Sequence, residues 1–213
     1  MPDHYRNWPA LQAHCTEGVD YRIVERRTGS GVAQLAIHAG GLEGGTGELA
    51  KAVAEALGHN LYCFEALRPT GNRRLHITST RYDEPLCVDL QRSVRHTVSY
   101  HGAAGARPLT HLGGADTVLG ERIAAALGAA GFAVDGESTP VAINGSSPRN
   151  ICNRNRSGAG VQLELSSGQR EAFFPDGPRH SSALEAAGAI GAQRTAVFHA
   201  YVAALVTALG DAT

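Results

Sequence analysis

A chain of 213 residues, 43% hydrophobic and 18% charged, carries enough apolar residues to bury a sizeable core, and its length fits one domain better than two. Nineteen basic against twenty acidic side chains give a formal charge of −1, which excludes the basic stripe of a general nucleic-acid binder. No apolar run reaches the roughly 18 residues of a membrane span. The first residues, MPDHYRNWPALQAHC, lack the basic and apolar regions of a signal peptide, so the expected location is cytoplasmic, with release by lysis if the gene is phage-borne.

Tyr21–Glu25 alternates in strand fashion, and Val32–Ile37 is a short apolar run ending against a glycine cluster. Thr46–Leu57 spaces Leu49, Val53 and Leu57 as a helical stripe, with Thr46 as N-cap and Glu48 in the first turn. Leu61–Ala66 reads as a strand, Leu75–Thr78 as a short β-prone run, and Val94–Tyr100 as a strand followed at once by His-Gly. Thr117–Ala130 is a helix stopped by Gly128 or Gly131, with a strand at Phe132–Val134. Gly160–Ser166 is the best strand of the second half, and 181–209 holds one or two alanine-rich helices, broken near Gly188 and Gly191. No repeat or linker divides residues 1–213. Strands interleaved with helices predict a single α/β domain with a parallel or mixed sheet.

Ligand sites of such sheets lie beyond the carboxyl ends of the strands. After Val32–Ile37 comes His38, a glycine-rich turn, then Glu43 and Glu48. Imidazole and carboxylate suit zinc, whose catalytic sites use three protein ligands and leave one position open. The same stretch also reads as a plain glycine turn with a surface histidine. His101 repeats the arrangement after the strand Val94–Tyr100, with His96 as its alternative. Glu48 competes with Glu43 but is explained as a helix-start acid. Glu164 lies inside the last strand, flanked by Leu163 and Leu165. It is either the polar face of an ordinary strand or a partly buried general base. Phosphate-loop chemistry is disfavoured, because no Gly-Lys-Ser/Thr follows the glycines.

The run IHAGGLEGGTGELA resembles the H-G-G-G-I-E-x-G-T-S-E-L-A signature of the poly-γ-glutamate hydrolase family of phages and bacilli. LHITSTRYDEP, VSYHG and NICNRNRSGAGVQLELSSGQRE are similar to further motifs of that family, in the same order along nearly the whole chain. The resemblance implies a compact zinc-carboxypeptidase-like fold, a single-domain three-layer α/β sandwich with an open mixed sheet. It also implies one Zn²⁺ per chain, with His38, Glu43 and His101 as ligands and Glu164 as the catalytic carboxylate. Ala39 and Gly47 depart from the signature without touching these residues. Arg81 differs in type from some relatives, which bears on substrate rather than mechanism.

The function this implies is zinc-dependent hydrolysis of γ-glutamyl amide bonds. The alternatives are a non-catalytic member binding metal or polyanion, and a zinc hydrolase of small N-acyl amino acids. An anionic γ-glutamyl polymer needs cations, and arginine forks bind carboxylates in two-pronged fashion. Arg156 and Arg170 are the preferred candidates, then Arg81 and Arg73, with Arg74, Arg154, Asn153 and Asn155 nearby. Eighteen of the nineteen basic residues are arginine, which with abundant alanine and glycine reads as GC-rich bacterial or phage coding. The four cysteines show no paired spacing, and a hydrolase built on Cys152 is a distant third reading.

Overall fold

The structure, a computed structural model, describes residues 3–136, 139–141, 143–178 and 193–210. In chain order it has α1 (Trp8–Gln12), β1 (Tyr21–Arg26), β2 (Val32–Gly40), α2 (Thr46–Leu57), β3 (Asn60–Ala66), α3 (Pro85–Ser93) and β4 (His96–Gly102). There follow β5 (Thr110–Gly114), α4 (Thr117–Ala129), β6 (Val134–Asp135), β7 (Val161–Leu165), α5 (Ser167–Glu171) and α6 (Ala196–Leu209). One seven-stranded sheet runs β1-β3-β2-β4-β7-β5-β6. β3, β2, β4 and β7 form its parallel centre, while β1 and β5 pair antiparallel to β3 and β7. The mixed α/β sheet expected from alternating elements is therefore what forms.

Alternation along the strands sends side chains to two apolar clusters. Ala36, Ala39, Val98, Tyr100, Val161, Leu163 and Leu165 pack under α2, α4 and α6. Ala33, Leu35, Ile37, Tyr62 and Phe64 pack on the opposite face with α1, α3, Tyr82 and Ile151. Full burial of one such leucine stabilises the fold by about 1.5–3 kcal/mol. The polar residues of the central strands, Ser99, His101, Gln162 and Glu164, alternate with the first cluster and so share the second face.

Three elements escape the periodicity. Helix α1 is one turn and a half, held by the Asn7 side chain accepting from the Ala10 N–H. Helix α3 has too thin an apolar stripe to read, but the Glu84 carboxylate accepts from the Leu86 and Cys87 amides and Pro85 opens the helix. Strand β5 ends in two glycines, weak strand formers, and pairing with β7 overrides that weakness. Two expectations fail locally. Thr46 is the first helical residue rather than the cap, which is Gly45. Leu75–Thr78 forms no strand, because the Thr78 amide donates to Asp3 and the Ile77 carbonyl bonds His38. Of the helices expected over 181–209, α6 forms at 196–209; 181–192, with Gly188 and Gly191, lies outside the described residues.

Candidate metal centre and its carboxylate

Strand β2 carries one extra residue against β3: Ala36 pairs with Cys63 and Ala39 with Glu65. Ala36 and Ala39 both pack in the α2 cluster. The inserted position turns His38 to the other face, where its Nε2 bonds the Ile77 carbonyl at 2.9 Å. Beyond β2 the chain reverses at Gly40, whose φ of +67° suits glycine and where a Cβ would meet the Ala66 carbonyl at 2.5 Å. The Glu43 amide then donates to the His38 carbonyl at 2.9 Å, closing the turn and returning Glu43 to His38. Glu48, the rival acid, caps α2 by accepting from the Gly45 N–H at 3.1 Å.

Three donor groups converge. His38 Nδ1 lies 3.1 Å from His101 Nδ1 and 3.2 Å from Glu43 Oε1, and His101 Nδ1 lies 3.5 Å from Glu43 Oε2. His38 Nε2 is spent on a carbonyl and His101 Nε2 on the Ser99 hydroxyl at 3.1 Å. The Ile77 carbonyl takes the Nε2–H of His38, so the neutral His38 ring presents an Nδ1 lone pair to His101 Nδ1 and to the Glu43 carboxylate, an arrangement that repels unless a cation or proton stands between. Tetrahedral ligands about 2.0–2.1 Å from zinc lie about 3.3 Å apart, so the donor set fits that ion, second-shell partners included. His76 competes: it brings a ring nitrogen within 4.8 Å of donors on His38 and Glu43. We favour His101, whose contacts are shorter, and read His76 as flanking, stacked on His38 at 4.1 Å with Nδ1 bonded to Asp3 at 2.8 Å.

Charges follow from this crowding. Burial alone would raise the Glu43 carboxyl, yet His38 and His101 outweigh it and hold the group well below its usual value. Burial opposes protonation of His101, but its hydrogen bond to Glu43 and the charge of Glu164 leave it raised. Burial and the neighbouring His38 bring His76 down to about 4. Glu164 pairs in register with His101 across β4 and β7. Burial pushes its carboxyl up to about 7, in the range of a proton-transfer group, and Gln162 Nε2 donates to its Oε1 at 2.8 Å.

The arginines separate by position. The Arg156 amide bonds Val94 before β4 begins, about 23 Å of extended chain from His101. It stands at the wrong end of the sheet for this centre; nearness to Glu164 in sequence misled because β7 runs the length of the sheet in between. His96 and its partner Asp116 lie at that same end. Arg170 sits beside Glu43 and Gly102, but its guanidinium donates to the carbonyls of Gly44, Leu165 and Ala103 at 3.0, 3.2 and 3.3 Å. Arg81 bonds Asp3, the partner of His76, and the charge of Arg73 is felt at His76. Asn153 and Asn155 are engaged with loop backbone, through Gly145, Ser147, Gly160 and Ala159. Burial pushes the Cys152 thiol up to about 12, which removes it as a nucleophile. His76 is the neighbour missed from sequence; its one signal was its place inside the LHITSTRYDEP motif.

Residues 5–204 match the family model described as poly-gamma-glutamate hydrolase. The UPF0714 protein YndL of Bacillus subtilis (strain 168) is 37% identical over 172 residues, 81% of this chain and 67% of that protein. The SPbeta prophage-derived UPF0714 protein YoqZ of the same strain is 35% identical over 209 residues, covering 98% and 72%. Among solved structures, a bacteriophage poly-gamma-glutamate hydrolase superposes with a TM-score of 0.89 at 37% identity, covering 99% of this chain and 98% of that one. A zinc-free apo form of YndL gives a TM-score of 0.89 at 32% identity, covering 99% of each. With these motifs, this fold and a match along nearly its whole length, the chain belongs to the poly-gamma-glutamate hydrolase family.

Proposed function

We propose that this hydrolase-family chain is a zinc-dependent amidohydrolase that cleaves γ-glutamyl amide bonds in poly-γ-glutamate, with one ion held by His38, Glu43 and His101. The observation that carries the reading is the convergence of three ligand atoms within 3.1–3.5 Å beside a carboxylate at pKa about 7. That a zinc-free form of YndL is distinguished as such supports zinc as the metal in this family. Zinc, when bound, supplies acidification of a water molecule and polarisation of the scissile carbonyl. Glu164 accepts the proton of the attacking water and delivers it to the leaving amide nitrogen, as base and then as acid. Gln162 holds one carboxylate oxygen, leaving the other to the reaction. Arg170 fixes the loops that carry Glu43 and Gly102, and Arg73 and Arg81 face the substrate carboxylates. The two-faced sheet with a site at its carboxyl edge also supports the compact zinc-carboxypeptidase reading. Retention of Glu164 disfavours a non-catalytic role.

The test is metal analysis of the purified protein together with hydrolysis of poly-γ-glutamate before and after chelation. We expect about one zinc per chain, loss of activity with the metal and recovery on adding zinc back. His38→Ala and His101→Ala should each remove most of the bound zinc, since a three-ligand site loses its geometry with any one ligand. Full activity in metal-free protein would overturn the mechanism, and full zinc occupancy in either variant would overturn the ligand set.

A further inference from the structure

Glu164 has a second in-register neighbour. Across β7 and β5 it pairs with His111, and His111 pairs with Asp135 of β6. Directly opposed residues share a face, so His101, Glu164, His111 and Asp135 form one polar row across four adjacent strands. The row is set by the sheet rather than by a loop. Flanking residues point the other way: Thr110 bonds Tyr201 of α6, and Leu112 packs in the α2–α4–α6 cluster.

His111 is built as a ligand group without a ligand. Its Nδ1 is buried, 3.5 Å from Asp135 Oδ2, and makes no hydrogen bond. Its Nε2 has no hydrogen-bond partner among the described residues, and the side chain keeps 17% of its surface exposed, on the same face as Glu164. A ring whose Nδ1 faces a carboxylate offers its Nε2–H outward as an imidazolium.

We propose that His111, oriented by Asp135, binds the α-carboxylate of the residue whose nitrogen leaves, and so makes the site specific for γ-linked glutamate. The proposal rests on the hydrolytic reading above. In a γ-glutamyl chain the leaving nitrogen sits on a Cα that also bears a carboxylate, whose oxygens lie about 3 Å from that nitrogen. Neighbouring strands lie about 4.8 Å apart. The substrate order of carbonyl, nitrogen and α-carboxylate therefore follows the row order of His101, Glu164 and His111. Without a cation at that place, the substrate carboxylate would meet Glu164 as a like charge, at a cost that rises in a partly buried site. Asp135 is a positioning residue, since it acts through the imidazole.

The experiment compares two substrates: a γ-linked glutamate oligomer, and the same oligomer with a carboxamide in place of the α-carboxylate beyond the scissile bond. The parent should prefer the carboxylate by kcat/KM, and His111→Gln should reduce that preference by about 10–100-fold, the range of one charge-assisted hydrogen bond. Asp135→Asn should reduce it less. A second readout needs no turnover: calorimetric binding of the carboxylate oligomer to zinc-loaded Glu164→Gln protein should weaken at least about tenfold when His111→Gln is added. An unchanged preference in His111→Gln, or a parent that does not discriminate, overturns the proposal. So does unaltered binding. A parent that hydrolyses neither oligomer overturns the hydrolytic reading instead, and the binding arm then decides the role of His111 alone.

Discussion

Gly102 follows a proposed ligand and touches another, so one methyl group there tests the centre without removing any donor. A Cβ at this position would stand 2.9 Å from Glu43 Cβ and 2.9 Å from Arg170 Cζ. Carbon atoms pack at about 3.5–4.0 Å, so each contact is too close by about 0.6 Å or more. The Arg170 tip can swing aside, although doing so strains its bonds to Gly44 and Ala103. Glu43 Cβ cannot, because rotation about its own side-chain bonds leaves that atom in place. The backbone around Glu43 must therefore yield, and the Gly102 amide that donates to Glu43 Oε2 at 2.9 Å moves with it. A metal site tolerates ligand displacements of about 0.2 Å. Gly102→Ala should accordingly weaken zinc by about 10–100-fold, the loss typical of a disturbed ligand support. That corresponds to about 1.4–2.7 kcal/mol. Competition against a chromophoric chelator reads the affinity directly, and thermal unfolding of the metal-free variant reports whether the fold has kept its stability. Zinc affinity within twofold of the parent, with the fold intact, would refute Glu43 as a ligand held in this position.

Glu164→Gln keeps size and the Gln162 contact but cannot take a proton; kcat should fall by about 10²–10⁴ with zinc content unchanged, and activity within a few-fold of the parent would leave the mechanism without its base. Arg73→Ala and Arg81→Ala should raise KM for the polymer and flatten its salt dependence, whereas Arg156→Ala should leave both as they are. Any clear rise in KM for Arg156→Ala would contradict its place at the far end of the sheet. Burial lowers the pKa of His59 below the ordinary 6.5, and its Nδ1 accepts from Gln34. The unfolded chain then binds this proton first, so the His59 contribution to stability is present above about pH 6.5 and falls away as the pH drops below it. Urea unfolding between pH 8 and 5 should show a shallower loss in His59→Asn, and identical slopes would dismiss the coupling.

The residues proposed as ligands were legible because a strand end, a glycine run and a helix start are each written locally. Their convergence was not. That His38, Glu43 and His101 meet depends on which face each side chain takes, and the sequence of β2 carries no sign of the extra residue between Ala36 and Ala39. Arg156 failed for a related reason: closeness along the chain says nothing once a strand intervenes, and five residues of β7 carry the backbone from one end of the sheet to the other. His111 stayed invisible because β5, short and rich in glycine, shows no strand pattern, and only its pairing with β7 gives the histidine a neighbour. The neutral overall charge was also a weak guide, since a few placed cations would serve a polyanionic substrate without any net excess.

The extra residue in β2 makes the centre depend on a count rather than on a composition. Adding one residue to β3 between Cys63 and Glu65 would restore straight pairing with β2 and keep every donor in the chain, yet it would carry His38 to the α2 side, with the sheet itself between it and His101. Such a protein would pass any inspection by residue type and hold no three-ligand site. Within this fold, gain or loss of activity can turn on the length of one strand, and sequences aligned with a gap at this point should be read as having changed chemistry even where every histidine and glutamate is still present.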